Sequence, residues 1–512
     1  MARPAEAGQT WTMSPGQGDG GSQQGSSPAA GSPRAAPSQP AAHGGARGGG
    51  GLWSPGRRGL TIGLVLTITL VAFEALAVST IMPIVADELR GLELYGWVFT
   101  AFMLGSLIGI VVVGGLIDRR GLGGPFAAGI GLFAVGLIVG GLAPSMEILV
   151  GARFLQGLGA GTVPPIAYVA IGRSMPEHLR PQMFATLSTA WVLPGVLGPA
   201  IAGIVGEAVG WRWVFLGLLP LIVVSSGIAF PAVRRIGPDP SDAKNAASMR
   251  ERAPLAIVVA AGTGLLLAGL TSGAPILLGL FGIAGTALAI FALRRLTPPG
   301  TLRAARGLPT AVLMRGIITF AFFAVDAYVA LALVEWRGLR PAEAGIALTA
   351  ATISWTAGSW TQARLSSRFS SERFVRVGLV VLVVGLLSFM IVLLPEVTPW
   401  LAIPTLALAG YAMGLAYSPL ALIVLREAPV AEQGRASAAI SLTDSLGTAL
   451  GTGVTGALVA ASVRDGSGPA IGLAVGFGVA VGVTLVGIAI GGRLHERPAR
   501  EPVGGALVAP GS

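Results

Sequence analysis

Long apolar runs separated by short charged loops dominate the chain from about residue 57 onward. A helix needs about 20 apolar residues to cross a bilayer, and about fourteen runs reach that length. The runs fall into a set of six, a central pair and a second set of six: about 60–82, 97–117, 124–143, 147–172, 182–206 and 211–231; 254–272 and 275–293; 308–334, 344–363, 374–394, 399–424, 435–460 and 469–491. The pattern predicts an all-α integral membrane protein with about 14 transmembrane helices.

The loops between the runs predict the orientation of these helices. Arginine pairs such as Arg119/Arg120, Arg234/Arg235 and Arg294/Arg295 occupy alternate loops, whereas the intervening loops are short or mixed in charge. Since Lys and Arg accumulate on the cytoplasmic side of membrane proteins, both termini are predicted to be cytoplasmic. An even number of spans agrees with this orientation.

Composition and spacing divide the chain into five segments. Residues 1–56 are rich in Gly, Pro, Ser and Ala and are predicted to form a disordered cytoplasmic tail. Residues 57–233 form the first six-helix bundle, 234–306 a linker with two additional helices, and 307–495 the second bundle. Residues 496–512 form a second tail.

Two acids lie inside apolar runs at matching places of the two halves. Glu74 lies within the first run, and Asp326 follows 252 residues later (326 − 74) in a similar local sequence. A second similarity aligns 185–203 with 438–456 at an offset of 253 (438 − 185). A charged group at bilayer depth costs several kcal/mol and usually serves an ion or substrate pathway. A duplicated unit carrying such acids is typical of a secondary transporter.

Composition excludes several other classes of protein. Only 11% of the 512 residues are charged and 53% are hydrophobic, whereas a soluble domain carries about 25% charged residues. The net charge of +10 lies in short loops, so it does not indicate nucleic-acid binding. The chain has no Cys and its three His lie outside the apolar runs, which argues against metal sites and thiol catalysis. No cofactor and no enzymatic activity are predicted.

The loop after the second run carries a recognisable motif. Gly114, Asp118, Arg119 and Gly121 occur in the segment Gly-Gly-Leu-Ile-Asp-Arg-Arg-Gly, which resembles the loop signature of the major facilitator superfamily. The resemblance implies a cytoplasmic latch, in which the Asp caps a helix or contacts an Arg of a neighbouring helix. The residues at 122 and 123 are Leu and Gly, where the family usually has two basic residues. The alternative is an ordinary positively charged loop.

The fourth run begins with a sequence similar to the superfamily's fourth-helix signature. Arg153 and Gln156 are three residues apart and share a helix face with Gly157, so small residues allow packing while polar groups point inward. An Arg at this depth needs a carboxylate or a water-filled cavity. The alternative is that its side chain extends to the outer interface.

The fifth run resembles the antiporter signature that marks exporters within the superfamily. Gly195, Gly198, Pro199 and Gly203 form this motif, in which Pro bends the helix and Gly permits close helix contacts. The segment 210–220, Gly-Trp-Arg-Trp followed by apolar residues and Pro, resembles the fourteen-helix drug:proton antiporters. The Gly and Pro residues of the motif are predicted to form a hinge between the two bundles, and the second resemblance implies a drug exporter.

In that family the first, fourth, seventh and tenth helices line a central cavity. The resemblance therefore places Glu74, Arg153 and Asp326 around one space, and these three residues are predicted to couple transport to protons. Glu74 is predicted to be the principal proton carrier. Asp326 is interpreted as a substrate or proton site or, alternatively, as a structural polar residue between helices. Arg315 lies about 16 Å along the helix from Asp326, so the two residues cannot pair. Arg315 is interpreted either as a cytoplasm-side interfacial Arg or as a latch or anion contact.

A second group of candidate residues would line a substrate cavity. Asp444 binds substrate or, alternatively, forms hydrogen bonds with the neighbouring Ser and Thr residues. Aromatic residues near the acids favour a cavity for flat lipophilic molecules, although each one is also open to a packing or lipid-facing role: Trp191, Phe322, Phe323, Tyr328, Trp355 and Trp360.

The residues and the resemblance together predict a proton-coupled exporter of lipophilic, cationic or neutral, drugs or antibiotics that works by alternating access. Its partners are the lipid bilayer, protons and a small lipophilic substrate, with no nucleic acid, and the chain is expected to act as a monomer in the bacterial inner membrane. Two alternatives remain open: a proton-coupled importer of a small nutrient, and a non-transporting receptor or scaffold on the same fold.

Overall fold

The computed structural model describes residues 51–176, 179–237, 243–429 and 432–494. The regular structure in these ranges is helical. The first helices are α1 (Arg58–Glu88), α2 (Tyr95–Arg120), α3 (Gly123–Gly141), α4 (Met146–Ala160), α5 (Val163–Ser174), α6 (Arg180–Thr189), α7 (Val192–Ala208), α8 (Arg212–Leu216) and α9 (Leu218–Val233). We call α1–α9 the N-terminal group. Most of the two predicted tails, residues 1–50 and 495–512, lies outside the described residues.

Two long helices and a second group follow. The inserted pair consists of α10 (Ala243–Thr271) and α11 (Pro275–Leu296). The C-terminal group comprises α12 (Leu308–Asp326), α13 (Val329–Leu331), a π-helical turn (Ala332–Trp336), α14 (Pro341–Leu365), α15 (Ser371–Ile391), α16 (Ala402–Glu427), α17 (Gln433–Arg464) and α18 (Pro469–Ile490). We call the ends next to the Arg-rich loops inner and the opposite ends outer.

Twelve helical segments within the described ranges are long and apolar enough to cross a membrane. They confirm an all-α membrane protein and include both inserted helices. Two of the fourteen predicted runs are not among these twelve segments. The run 182–206 is interrupted at Ala190 and Trp191, between α6 and α7. The run 344–363 lies in α14, which has 25 residues but carries several polar side chains, mostly Ser and Thr. A total of fourteen crossings remains a prediction.

Two of the transmembrane segments contain a break near their middle. The segment Met146–Ser174 breaks at Gly161 and Thr162 between α4 and α5. The adjacent Pro164 and Pro165 cannot donate backbone hydrogen bonds, which explains this break. The segment Leu308–Trp336 breaks at Ala327 and Tyr328, directly after Asp326. No Gly or Pro accompanies the second break, and the sequence did not predict it.

The two groups contact each other through small residues at their outer ends. A Cβ atom on Gly96 of α2 would lie 2.8 Å from the Cα atom of Gly456 of α17, so these two backbones touch. A Cβ atom on Gly203 of α7 would similarly lie 2.7 Å from the Cα atom of Ala342 of α14. Because lipid supplies little hydrophobic drive between helices, such close backbone approach stabilises their association. The described conformation is therefore closed on the outer side.

The inserted pair packs beside this contact. Helices α10 and α11 lie against each other, and α10 also contacts α2 and α17. Leu104 of α2, Val259 of α10 and Leu446 of α17 belong to one small buried cluster. Helix α11 lies on the outside, where Ile276 and Ile283 are exposed toward the lipid region.

Candidate functional site

Glu74 and Arg153 form a buried ion pair within the N-terminal group. Glu74 lies on α1 and Arg153 on α4, and their side chains are 1% and 2% exposed. Arg153 Nη1 donates to Glu74 Oε1 and, at 2.6 Å, to Gln156 Oε1, while its Nε donates to the carbonyl of Val98 at 3.2 Å. The guanidinium also lies 4.3 Å from the ring centroid of Phe102. Arg153 thus points into the group instead of extending to the outer interface.

Glu74 keeps one oxygen unpaired. Among the described residues no group donates a hydrogen bond to its buried Oε2. A buried carboxylate normally needs partners for both oxygens, since an unpaired polar atom costs about 1–3 kcal/mol. The free oxygen is therefore a place where a proton would lower the cost of burial.

A second ion pair lies within the C-terminal group, where the sequence offered several alternatives. Nε of Arg315 on α12 lies 2.9 Å from Oδ1 of Asp444 on α17. Tyr417 of α16 donates its hydroxyl to Asp444 Oδ2 at 3.2 Å, and its ring centroid lies 3.1 Å from the Arg315 guanidinium carbon. Arg315 also donates to the Tyr417 carbonyl at 2.6 Å. Arg315 is therefore a partner of Asp444.

The sequence reasoning missed Tyr417 and the pairing of Arg315 with Asp444. Both charged residues lie in apolar helices of the same half, and intramembrane charges commonly pair with each other. That rule alone would have suggested the match. Tyr417 carried no comparable signal, because a Tyr in an apolar run is ordinary.

Three aromatic rings continue from this pair toward the C-terminal end of α12. The rings of Phe322 and Trp355 lie 5.4 Å apart edge to face, and those of Trp355 and Tyr417 also lie 5.4 Å apart. We call Phe322, Trp355 and Tyr417 the aromatic row. Phe322 also packs edge to face on Phe323, with centroids 5.2 Å apart.

Asp326 lies one helical turn beyond Phe322, at the end of α12. Residues four apart share a helix face, so the carboxylate follows the aromatic row. No described residue forms a hydrogen bond or an ion pair with it. A carboxylate at the C-terminal end of a helix is disfavoured by the helix dipole. A bound cation or proton would relieve both costs.

Tyr328 and Trp191, which are also predicted to line the cavity, have different surroundings. Tyr328 is fully buried with its hydroxyl donating to the Thr452 carbonyl at 2.7 Å, and its ring lies 5.2 Å from that of Tyr95. Tyr328 thus belongs to the outer contact between α12–α13, α2 and α17, away from the aromatic row. Trp191 lies in the break between α6 and α7 and is 49% exposed.

The motif residues have distinct local surroundings. Gly121 has a φ of +69°, a conformation that favours Gly, and ends α2 in the predicted latch. The side chains of Asp118 and Arg119 lie outside the described part, so the latch contacts of these residues remain a prediction, as does the role of Gly114. A Cβ on Gly157 would lie 2.1 Å from the Phe102 carbonyl oxygen, which shows how closely α4 packs on α2.

The hinge residues of α7 lie against two other helices. A Cβ on Gly195 would lie 2.0 Å from the Thr352 methyl group of α14, whereas Gly198 faces Phe73 of α1. Backbone around Pro199 approaches Gly345 of α14. Helix α7 therefore contributes much of the contact between the two groups.

A helical membrane protein with buried acids and arginines in both halves has the features of a secondary transporter. The chain matches the family model of the Major Facilitator Superfamily over residues 64–452 and belongs to this family. The family consists of transporters and not of enzymes. Among the described residues no group of three or more His, Asp or Glu could hold a metal ion.

Several bacterial relatives carry names that refer to drug resistance. The chain is 26% identical over 321 residues to a probable multidrug-efflux transporter of Mycobacterium tuberculosis, covering 60% of this chain and 67% of that one. It is 22% identical over 401 residues to the multidrug efflux pump SdrM of Staphylococcus aureus, covering 75% and 86%. It is 28% identical over 366 residues to the methylenomycin A resistance protein of Streptomyces coelicolor, covering 70% and 75%.

Solved structures of several transporters have the same fold. A D-xylose–proton symporter superposes with a TM-score of 0.60 at 12% identity, covering 85% of this chain and 97% of that one. The peptide transporter-family protein PepTSo superposes with a TM-score of 0.59 at 15% identity, covering 84% and 97%. At these identities the likeness shows the fold alone.

Proposed function

We propose that this protein is a proton-coupled exporter of lipophilic, cationic drugs or antibiotics in the bacterial inner membrane. The observation that carries the proposal is the presence of two different acids: Glu74, which is paired with Arg153, and Asp326, which has no described partner. An antiporter needs a site that exchanges a proton and a site that attracts the substrate. The two environments fit these two tasks.

In this proposal Glu74 carries the proton. Protonation at its free oxygen neutralises the acid and weakens the pair with Arg153. Arg153 then turns toward its remaining acceptors, Gln156 and the Val98 carbonyl. The pair links α1 to α4, so its loss removes a contact between these two helices and shifts the balance between conformations.

Asp326 and the aromatic row supply the substrate site. Aromatic faces attract cations and flat apolar rings, and an unpaired carboxylate adds charge attraction in a low-dielectric setting. The Arg315–Asp444 pair closes the other end of the row and has no net charge. A cationic amphiphile with its charge at Asp326 and its ring system on Phe322 and Trp355 fits this arrangement.

The direction of transport is supported by the relatives and by the fifth-helix motif. Three relatives are named for multidrug efflux or antibiotic resistance. The motif residues Gly195 and Gly203 contact α14, where the two groups must move past each other during alternating access. We assign the chain to the fourteen-helix drug:proton antiporters, with the two groups acting as six-helix bundles that work within one monomer.

The proposal is tested by ethidium efflux from vesicles with an imposed pH gradient. Glu74→Gln keeps a side chain that accepts a hydrogen bond from Arg153 but cannot release a proton, so gradient-driven efflux should fall at least about tenfold while ethidium still binds. Asp326→Asn should weaken ethidium binding itself. Glu396→Gln, in an exposed outer loop, serves as the matched control and should transport normally.

Two results would contradict the proposal. Efflux by Glu74→Gln that still follows the pH gradient would remove Glu74 from proton coupling. Ethidium uptake in the direction opposite to the expected export would favour the importer.

A further inference from the structure

The turn that joins the inserted helices reaches the outer ends of α2 and α17. Helix α10 ends at Thr271, and Gly273 with a φ of +68° reverses the chain into α11. Gly adopts a positive φ without strain, so the chain reverses in the short segment between Thr271 and Pro275. The turn places Thr271 at the outer end of the inserted pair.

Thr271 is held by one residue from each group. Trp97 of α2 donates its indole N–H to the Thr271 hydroxyl at 3.1 Å. Arg464, the last residue of α17, donates to the Thr271 carbonyl at 3.0 Å and lies 3.9 Å from the carboxylate of Glu93. We call Trp97, Thr271 and Arg464 the outer clasp.

The outer clasp lies beside the place where the two groups close the outer side. One turn from Trp97, the hydroxyl of Thr100 lies 3.2 Å from the Ala449 carbonyl and 3.3 Å from the Thr452 hydroxyl of α17. Gly96 and Gly456 touch at the same level. Any motion that opens the outer side must separate α2 from α17 here.

Helix α10 also occupies the groove between these two helices along its length. Leu267 packs against Gly453 of α17, where a Cβ atom would lie 2.4 Å from its methyl group. Gly264 faces Leu104 of α2 with a corresponding distance of 3.5 Å. The inserted helix thus rests on both sides of the contact that must open.

We propose that the inserted pair stabilises the outward-closed conformation through the outer clasp. When α2 and α17 separate, Trp97 and Arg464 cannot both keep their bonds to the single residue Thr271. Opening the outer side therefore requires the loss of at least one hydrogen bond, which in the case of Arg464 involves a charged donor. The inserted pair sets how often the transporter opens outward, whatever substrate it carries.

Distances between spin labels measure this equilibrium directly, and the chain is suited to the experiment because it has no native Cys. Leu142→Cys and Thr398→Cys report on the outer side, since both residues are exposed and belong to different groups. Ser174→Cys and Ser367→Cys report on the inner side in the same way. Electron–electron double resonance on the full-length protein in nanodiscs gives the populations.

Arg464→Leu removes the charged donor, and the outward-open population should rise about tenfold or more, as expected for a hydrogen bond from a charged group. Trp97→Phe and Thr271→Val each remove the neutral hydrogen bond between these two residues and should raise the outward-open population about two- to tenfold. Thr271→Val also removes the bonds from the hydroxyl to carbonyls within α10, which do not change when the outer side opens. In every variant the outer distance should lengthen while the inner distance shortens. Arg337→Ala is the matched control, because among the described residues this outer Arg donates only to carbonyls of its own group, those of Leu394, Pro395 and Val397.

Unchanged populations in Arg464→Leu and Thr271→Val would overturn the proposal. So would lengthening of both the outer and inner distances together, which indicates loosened packing instead of a shifted equilibrium. The result does not depend on ethidium transport or on Glu74, so failure of the proposed function and failure of this inference are distinguishable.

Discussion

The ion pairs of the two groups use the same parts in different arrangements. In both, an arginine pairs with an acid, lies over an aromatic ring and donates to a backbone carbonyl. In the N-terminal group the acid is on α1 and the arginine on α4. In the C-terminal group the arginine is on α12 and the acid on α17. The two pairs are therefore not copies of each other, although the acids Glu74 and Asp326 lie at duplicated places.

The pairs also differ in access to solvent. The Glu74 side chain is 1% exposed, whereas that of Asp444 is 29% exposed and is shared with the Tyr417 hydroxyl. Removing one partner of a buried ion pair leaves an unpaired charge away from water, which is strongly destabilising. An acid that is accessible to water can be solvated instead. The N-terminal pair should therefore be the more sensitive to loss of its arginine.

The largest effect should follow from Arg153→Met. This change leaves Glu74 buried without a counter-charge and should lower the free energy of unfolding by about 3–5 kcal/mol at neutral pH. Denaturant unfolding in detergent micelles measures it. The loss should shrink at acidic pH, because a protonated acid has no charge to stabilise. Adding Glu74→Gln should recover most of the loss, and a double variant as unstable as the single one would contradict this account.

A smaller effect is expected from Arg315→Met. Asp444 keeps the Tyr417 hydroxyl and partial access to solvent, so the free energy of unfolding should fall by about 1–2 kcal/mol. The same unfolding measurement applies. A loss equal to that of Arg153→Met would show that the two pairs are energetically alike and would remove the contrast.

The smallest effect is expected from Tyr417→Phe. The ring remains beneath Arg315 but the hydroxyl to Asp444 is lost, which should cost about 0.5–1.5 kcal/mol. The variant makes the C-terminal pair resemble the N-terminal one, where the ring is that of Phe102. Tyr411→Phe, on the same helix, is the control and should change the unfolding free energy little. Equal losses in both variants would argue against a role for the hydroxyl.

The sequence was sufficient for the helical class, for most of the spans and for the family. Hydropathy identifies a span by its length and composition, and neither property depends on how the helices pack. The sequence was less informative about breaks in helices. The interruption at Trp191 lies inside an apolar run without an obvious gap. The break after Asp326 is not accompanied by a Gly or Pro that would predict it. Backbone breaks in membranes depend on what neighbouring helices can satisfy, which no local pattern records.

The site was predicted unevenly for a similar reason. Glu74 and Arg153 were placed together through the family resemblance, and the structure pairs them. Asp444 and Arg315 are far apart in sequence, and their meeting depends on how α12 packs against α17. Tyr328 was predicted to line the cavity because it lies two residues after Asp326. In the structure it follows the break in the helix and packs between the two groups, against Tyr95 and Thr452. The binding of substrate or protons by these residues remains a prediction.

The contact between Gly96 and Gly456 also bears on proton leakage through the protein. Because one backbone lies directly on the other, no file of water molecules can pass between α2 and α17 at that point. Chains of water molecules conduct protons, and a proton leak through a transporter would dissipate the electrochemical gradient across the membrane. The close contact of these two glycines thus blocks a path for protons at the outer ends of α2 and α17.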